Sequence, residues 1–371
     1  MKTRISVLLF AAIWLLGSAF AQKPRITNAK IEEAPAGTSL KALVDSVAQK
    51  QSGPEWIGYR IPAKASEQTM CCFDSWGDRE ASGSGRCCKG CKMDSDHGTS
   101  INGTVSDCAP PEPVPYAFVF LRLENKHIEK ARVFSADCPL DFAGLPVHWA
   151  EGVKPEESID LLTGLALASD GEDSDRKAWH NAVMAIAMHD VPAADTALER
   201  LIQPDRPSKQ RENAAFWLGI ERGKRGVEIL EKAIKTDSDE RFREHVTFAF
   251  SQSYTQSKQD QALKDLIGMA HNDPSPKVRG QAIFWMAQIG GKKQAEQITA
   301  AIENDTVCSV ARNYVAGPGN RAANSIVIRG DIDAVVAVAY GGRAGGVQAY
   351  VIAQDIVIRA VVDGNTHCGV A

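Results

Sequence analysis

Five cysteines fall within the twenty-one residues CCFDSWGDREASGSGRCCKGC, Cys71 to Cys91. Cysteines at this density hold a metal as thiolates, exchange electrons as a dithiol, or cross-link a segment too polar to bury a core of its own. Cys88-Lys89-Gly90-Cys91 has the C-x-x-C spacing of zinc knuckles and of thiol oxidoreductases. Zinc needs a second pair of ligands, and Cys71 with Cys72 would supply it, so a site at Cys71, Cys72, Cys88 and Cys91 is one reading. Thioredoxin-like chemistry needs the motif where a strand feeds a helix N-terminus, which lowers the thiol pKa. Here the motif follows Ser82-Gly83-Ser84-Gly85, and no parallel strand–helix unit surrounds it. Covalent haem attachment requires His after the second cysteine, where this chain has Lys92.

The third reading depends on the compartment. Lys2 and Arg4 precede the apolar run Ile5 to Leu16, and Ser18-Ala19-Phe20-Ala21 follows with small residues where a signal peptidase reads. The expectation is a signal peptide over residues 1–21 and a periplasmic or secreted mature chain. The run is shorter than the roughly 18 apolar residues of a spanning helix, and no membrane span is expected in the mature chain. An oxidising compartment favours cross-links. The candidates are Cys71, Cys72, Cys87, Cys88, Cys91, Cys108 and Cys138, and their odd number leaves one free or paired with Cys308, Cys368 or another chain. The pairing itself does not follow from sequence.

Removing Lys2 and Arg4 takes the formal charge from -4 to -6. An acidic chain without clustered Lys and Arg is not a general nucleic-acid binder. No P-loop, H-E-x-x-H or Ser-His-Asp pattern supports an enzyme, and His180, His189, His245 and His271 recur at no ligand spacing. His148-Trp149 reads as a ligand pair or recognition spot, or as a packed connector. Asn102-Gly103-Thr104 fits a glycosylation sequon.

The elements around the cluster come next. TSLKALVDSVAQK, residues 38–50, places Leu40, Leu43, Val44 and Val47 at helical spacing, with Thr38 or Ser39 as N-cap. Trp56 to Ile61 reads as a strand. Tyr116 to Leu123 and Ile128 to Phe134 read as a hairpin around Glu124-Asn125-Lys126, with Phe118 and Phe120 on one face and Val119, Leu121 and Leu123 on the other. Cys138 follows directly and is placed to tie the hairpin to the cluster.

Beyond residue 174 the chain repeats. Asn181 to Asp205 lies over Asn213 to Asp237 at an offset of 32, the third unit carries four extra residues in its central turn, and the fourth ends at Asp305. Matched columns are Ala182, Ala214, Val246, Ala282; Ala185, Trp217, Ala249, Trp285; Ile186, Leu218, Phe250, Met286; and Met184, Phe216, Phe248, Phe284. Ala214, Trp217, Leu218, Phe250, Trp285 and Met286 are the expected repeat core. In the second helices Leu198, Leu230, Leu266 and Ile298 match, then Ile202, Ile234, Ala270 and Ile302. Spacings of three and four put each set on one helix face, and stacked pairs bury what one pair cannot. Asp205, Asp237, Asp273 and Asp305 end the units and are expected to cap the next helix; Arg211, Arg243 and Arg279 form a column expected to bond them. Glu228, Glu231, Lys232 and Lys235 read as a solvated face.

The stretches RENAAFWLGIERGKRGVEILEKAI and PSPKVRGQAIFWMAQIGGKKQAEQITAAI resemble short bacterial HEAT repeats of the PBS-lyase HEAT-like kind. The resemblance covers about 174–305. It implies a protein-binding scaffold; some relatives are bilin lyases or metal-dependent hydroxylases, but the repeated His-Glu pairs of the latter are represented only by a single reversed Glu244-His245. The expected fold is mainly α: an α-α superhelix over 154–305 preceded by a small disulfide-rich α+β module over 22–153. Residues 306–371 contain no Lys, Glu, Leu, Met, Phe or Trp, a break inside a repeat array that suggests translation out of frame. The expected role is an exported, non-catalytic scaffold for a protein or peptide, with no cofactor; the alternative is a zinc-binding or thiol-redox protein using the Cys71–Cys91 cluster.

Overall fold

The computed structural model describes residues 23–65, 70–72, 91–93, 99–100, 113–168, 176–289, 325–327, 337–338, 359–362 and 368–370. The expected signal peptide, Cys87, Cys88, Cys108, Cys308, the sequon at Asn102 and the second helix of the fourth repeat lie outside them.

The first half is built on a sheet. β1 (Arg25–Thr27), β2 (Lys30–Glu33) and β3 (Glu55–Pro62) frame α1 (Leu40–Lys50); β4 (Cys71–Cys72), β5 (Cys91–Lys92) and β6 (Thr99–Ser100) are two-residue strands; β7 (Tyr116–Glu124), β8 (His127–Ser135), β9 (Pro139–Asp141) and β10 (Pro146–Ala150) follow. The main sheet runs β2-β10-β3-β7-β8, parallel across the first three strands and antiparallel across the rest. β7 and β8 form the expected hairpin, and Asn125 and Lys126 both take positive φ, as a two-residue turn matching the strand twist requires.

The register sorts the sheet into two buried faces. Ile57, Leu121 and Ala131 are neighbours across β3-β7-β8, as are Tyr59, Val119 and Val133, and these residues join the helices in one core. On the opposite face Trp56, Phe118, Phe120, Phe134 and Trp149 pack with Phe142, Leu140, Met93, Cys71, Cys91 and Cys138. Gly58 is required here: a Cβ at that position would sit 2.5 Å from the Phe120 ring. A second sheet, β1-β9-β5, supplies Leu140 and Cys91 to that aromatic layer.

α1 starts on Ser39, whose hydroxyl accepts from Ala42 N at 3.3 Å. Its buried Leu40, Leu43 and Val47 belong to the shared core, and α1 packs on α2 (Pro155–Ala168). Glu157 of α2 accepts from Leu40 N at 3.1 Å, a carboxylate on an orphan N–H of the first turn.

The helix pairs follow: α3 (Arg176–Met188) with α4 (Pro192–Leu201), α5 (Ser208–Glu221) with α6 (Gly223–Thr236), α7 (Glu240–Ser257) with α8 (Asp260–Asn272), and α9 (Pro276–Ile289). First helices stack in the order α3-α5-α7-α9, and α3 also packs on β8, so helices and sheet share one core. Ala182, Ala214, Val246 and Ala282 are fully buried, as are Ile186, Leu218, Phe250 and Met286. The four extra residues of the third unit are not in its turn. They lengthen its first helix, 18 residues in α7 against 14 in α5. One turn is 3.6 residues, so the insertion keeps the buried face in phase and the link to α8 stays short.

The expectation of a mainly α chain is overturned. Among the described residues the helices accompany a five-stranded and a three-stranded sheet, which makes this a mixed α/β protein. Strands β1, β2, β9 and β10 are three to five residues long, too short to display a period of two, and β2 is exposed throughout. In the C-terminal stretch β11 (Ser325–Val327), β12 (Ala337–Val338), β13 (Arg359–Val362) and β14 (Cys368–Val370) pair antiparallel in the order β12-β11-β13-β14.

Candidate interaction surface

The arginine column clamps successive helix pairs. Arg211 donates to Ile202 O at 3.0 Å, to Asp239 at 2.9 Å and to Asp237, with its guanidinium carbon 3.9 Å from the Phe242 ring centroid. Arg243 repeats this one unit on, donating to Asp237 O at 3.0 Å and to both Asp273 oxygens at 2.9 and 3.2 Å. The hydrogen bonds to Asp273 hold Arg243 above the ordinary arginine pKa. Arg279 donates to Asp273 O at 2.7 Å. Each guanidinium thus joins the end of the preceding unit to the start of the next, as the column suggested.

The aspartates do not cap as expected. Asp237 and Asp273 accept from the N–H two residues on, at 2.9 Å each. The caps are Asp239, which accepts from Arg241 N and Phe242 N, and Ser275, which accepts from Lys277 N and Val278 N. Asp205 is exposed and pairs with neighbouring Arg206, and α5 begins on Pro207 without a side-chain cap. A second clamp closes the opposite end of the first two units: Arg222 donates to Ala187 O, His189 O and Val191 O at 3.1, 2.7 and 3.1 Å and to Asp195 at 2.6 Å.

The outward face of the first helices carries a ladder of half-buried aromatics. Phe216 stacks on Phe248 with centroids 5.8 Å apart and planes at 22°, and Phe248 meets Trp285 at 4.6 Å. Phe216 and Phe284 edge onto Trp217 and Trp285 at 5.0 and 4.9 Å. Of the expected repeat core, Ala214, Trp217, Leu218, Phe250 and Met286 are buried, but Trp285 is only half-buried and belongs to this ladder. Met184, the ladder's counterpart in the first unit, is buried. Ion pairs between units flank the rings: Arg241 to Glu212 at 2.7 Å and Lys277 to Glu244 at 2.6 Å. His245 lies beside Phe248, its pKa lowered chiefly by burial. On the second helices Lys235 pairs with Glu231 at 2.7 Å and Lys232 with Glu199 at 2.9 Å, an exposed charged layer.

On the far face of the sheet Cys71 and Cys138 form a disulfide with a Cα–Cα distance of 5.5 Å. It ties β4 to the end of the hairpin, as the position of Cys138 suggested. Cys91 is disulfide-bonded as well, so neither Cys71 nor Cys91 offers a thiolate in this state. Arg132, on β8, reaches Cys91 Sγ at 3.1 Å and lies 5.0 Å over the Phe134 ring; burial pushes its pKa down to about 10. Among the described residues no group of His, Cys, Asp and Glu is arranged to hold a metal ion. Cys72 is placed in β4; Cys87, Cys88 and Cys108 are not described.

His148 and Trp149 point to opposite faces of β10. His148 bonds Glu55 at 2.6 Å and approaches Glu32 at 3.5 Å, while Trp149 donates to Glu151 at 2.7 Å and edges onto Phe118 at 5.8 Å. They form no joint ligand pair.

Sequence reasoning missed a buried polar chain. Tyr59 Oη lies 3.0 Å from Ser158 Oγ, which lies 3.0 Å from His189 Nε2; His189 Nδ1 lies 2.7 Å from Ala185 O. Tyr59, Ser158 and His189 are fully shielded from solvent, so this Ser–His contact fastens β3 to α2 and α3 and is closed to substrate. Burial raises the Tyr59 phenol pKa and lowers that of His189 to about 4. His189 carried no mark in the sequence, where it recurs at no ligand spacing.

No helix among the described residues is long and apolar enough to cross a membrane. The chain matches no protein-family model and no curated protein.

Proposed function

We propose that the chain is an exported scaffold whose helical half is of the short HEAT-like kind, and that it holds a protein or peptide partner on the face of its first helices. The observation that carries this is the ladder Phe216–Phe248–Trp285, aromatic surface left partly exposed across three successive units. Aromatic side chains are the commonest energetic anchors of protein interfaces. Two features support the reading. First helices pack on one another more extensively than second helices do, so the face that carries the ladder is one continuous layer across the units. The inter-unit clamps fix that layer, so little ordering entropy is lost on binding. The signal-like N-terminus and the Cys71–Cys138 disulfide fit work outside the cytoplasm.

The test immobilises the mature chain and a Phe248→Ser/Trp285→Ser variant, matched for thermal melting, and exposes both to the exported fraction. The scaffold reading expects a specific partner that the variant loses by tenfold or more, on the order of 2 kcal/mol per lost anchor. Equal retention by both ends it, and stoichiometric zinc with reactive thiols turns the assignment to the metal alternative.

A further inference from the structure

We infer that the outer edge of β2 joins a second copy of this chain, strand against strand, across a twofold axis at Ile31. β2 ends the main sheet, and among the described residues no strand pairs with its outer side. The opposite edge strand is occupied: α3 packs on β8, and Ser135 N at the end of β8 donates to Met70 O at 3.0 Å. β2 is exposed throughout, and Ile31, at 48%, is the one exposed large apolar side chain among the described residues. The direction of its backbone groups follows from the pairing already made. Lys30 N donates to Leu145 O at 3.1 Å and Ala34 N to Trp149 O at 2.8 Å, so Lys30, Glu32 and Ala34 turn their amides toward β10. Ile31 and Glu33 alternate with them and turn theirs outward. An unpaired edge of this kind is a template for another strand.

The sequence of the edge, Lys30-Ile31-Glu32-Glu33, selects a second copy as its occupant. Two identical strands related by a twofold axis run antiparallel, and the patch must complement itself. With outward amides opposite outward amides, the axis passes through Lys30, Ile31 or Glu32. An axis at Lys30 sets the two Lys30 side chains opposite each other, and an axis at Glu32 does the same with Glu32; like charges so placed repel. An axis at Ile31 sets Lys30 against the partner's Glu32 twice over, at the positions where side chains of antiparallel strands lie closest. It also lays the exposed Ile31 beside its own copy, with the two Ile31 residues exchanging N–H···O bonds. Both ionic groups are available. Lys30 makes no ion pair among the described residues, and Glu32 approaches only His148, at 3.5 Å. Glu33 faces the partner's Ala29 in this register and keeps its ion pair with Lys23. A peptide of unrelated sequence would have to supply the opposite charges at two positions; this strand supplies them to itself. The two five-stranded sheets then run on as one, through a surface separate from the first-helix face.

The experiment is analytical ultracentrifugation of the full mature chain between about 1 μM and about 1 mM, where a monomer–dimer equilibrium should appear. Ile31→Pro removes the outward N–H and no bond to β10, a change that edge strands tolerate, and should weaken dimerisation at least tenfold with thermal melting little changed. Lys30→Glu and Glu32→Lys should each weaken the homodimer about tenfold, because two attractions become two repulsions. Mixed in equal amounts, these two variants should associate about as tightly as the parent chain, since each supplies the charge that the other lost. The double variant Lys30→Glu/Glu32→Lys should recover self-association for the same reason. The mixing result decides the matter if Ile31→Pro does not fold. A monomer throughout the range, a dimer indifferent to Ile31→Pro and to the charge variants, or a mixture no tighter than its components overturns the assignment.

Discussion

The hydrogen bond between Ser158 Oγ and His189 Nε2, 3.0 Å long and fully buried, has a fixed direction. Ala185 O can only accept, so His189 Nδ1 carries the proton, Nε2 accepts from Ser158, and Ser158 accepts from Tyr59. A single chain of donors runs from the sheet to the first repeat helix, and it requires a neutral imidazole.

That requirement sets a pH dependence. The unfolded chain protonates His189 near 6.5, while the folded protein resists until about 4. Acid therefore favours unfolding: the contribution is complete above pH 6.5, falls away as the pH drops toward 4, and is constant below. The shift corresponds to about 3 kcal/mol. Urea midpoints measured across this window should fall with acid, and a His189→Gln variant should show a flatter profile.

Gly219 and Gly164 are both helical and should respond oppositely to alanine. A Cβ at Gly219 would lie 2.5 Å from Ala249 O, where α5 crosses α7, and Ser253 already donates to Gly219 O at 2.8 Å. Separating the helices should cost about 1–3 kcal/mol. Gly164 in α2 has open space around it, and Gly164→Ala should stabilise by about 0.5–1 kcal/mol. Thermal melts of the two variants give the signs directly.

Arg243→Met should destabilise by roughly 3 kcal/mol, because it leaves the Asp273 carboxylate buried beside a lost partner. The double variant Arg243→Met/Asp273→Asn should recover much of that loss. A double-mutant cycle in urea measures the coupling, and additive effects would show that the clamp is inert.

Breaking the Cys71–Cys138 disulfide opens a loop with a sequence separation of 67. In the chain-entropy model this costs about 4 kcal/mol. A Cys138→Ser variant should melt lower and release one thiol reactive to a denaturing titration, whereas the parent chain should yield a peptide linked through these residues on non-reducing digestion.

Local periodicity made the helical half legible. Ala182, Ala214, Val246 and Ala282 sit where the repeat put them because a helix face is fixed by spacing alone. The hairpin was legible for the same reason, since alternation at Phe118 to Leu123 fixes which side each residue faces. The arginine column was legible as a clamp, since arginines matched by the repeat meet the backbone at the end of the preceding unit.

What the sequence did not carry is everything that depends on which elements meet. Short parallel strands such as Lys30–Glu33 draw their stability from β10 and leave no period of their own, so the sheet's extent was hidden. The caps at Asp239 and Ser275 lie two residues beyond the repeating aspartates, a choice made by backbone geometry in the turn. Tyr59, Ser158 and His189 are far apart in the chain, and only the packing of α2 and α3 on the sheet brings them together. Spacing along one chain determines a face; contact between two faces is decided by the three-dimensional arrangement that buries both.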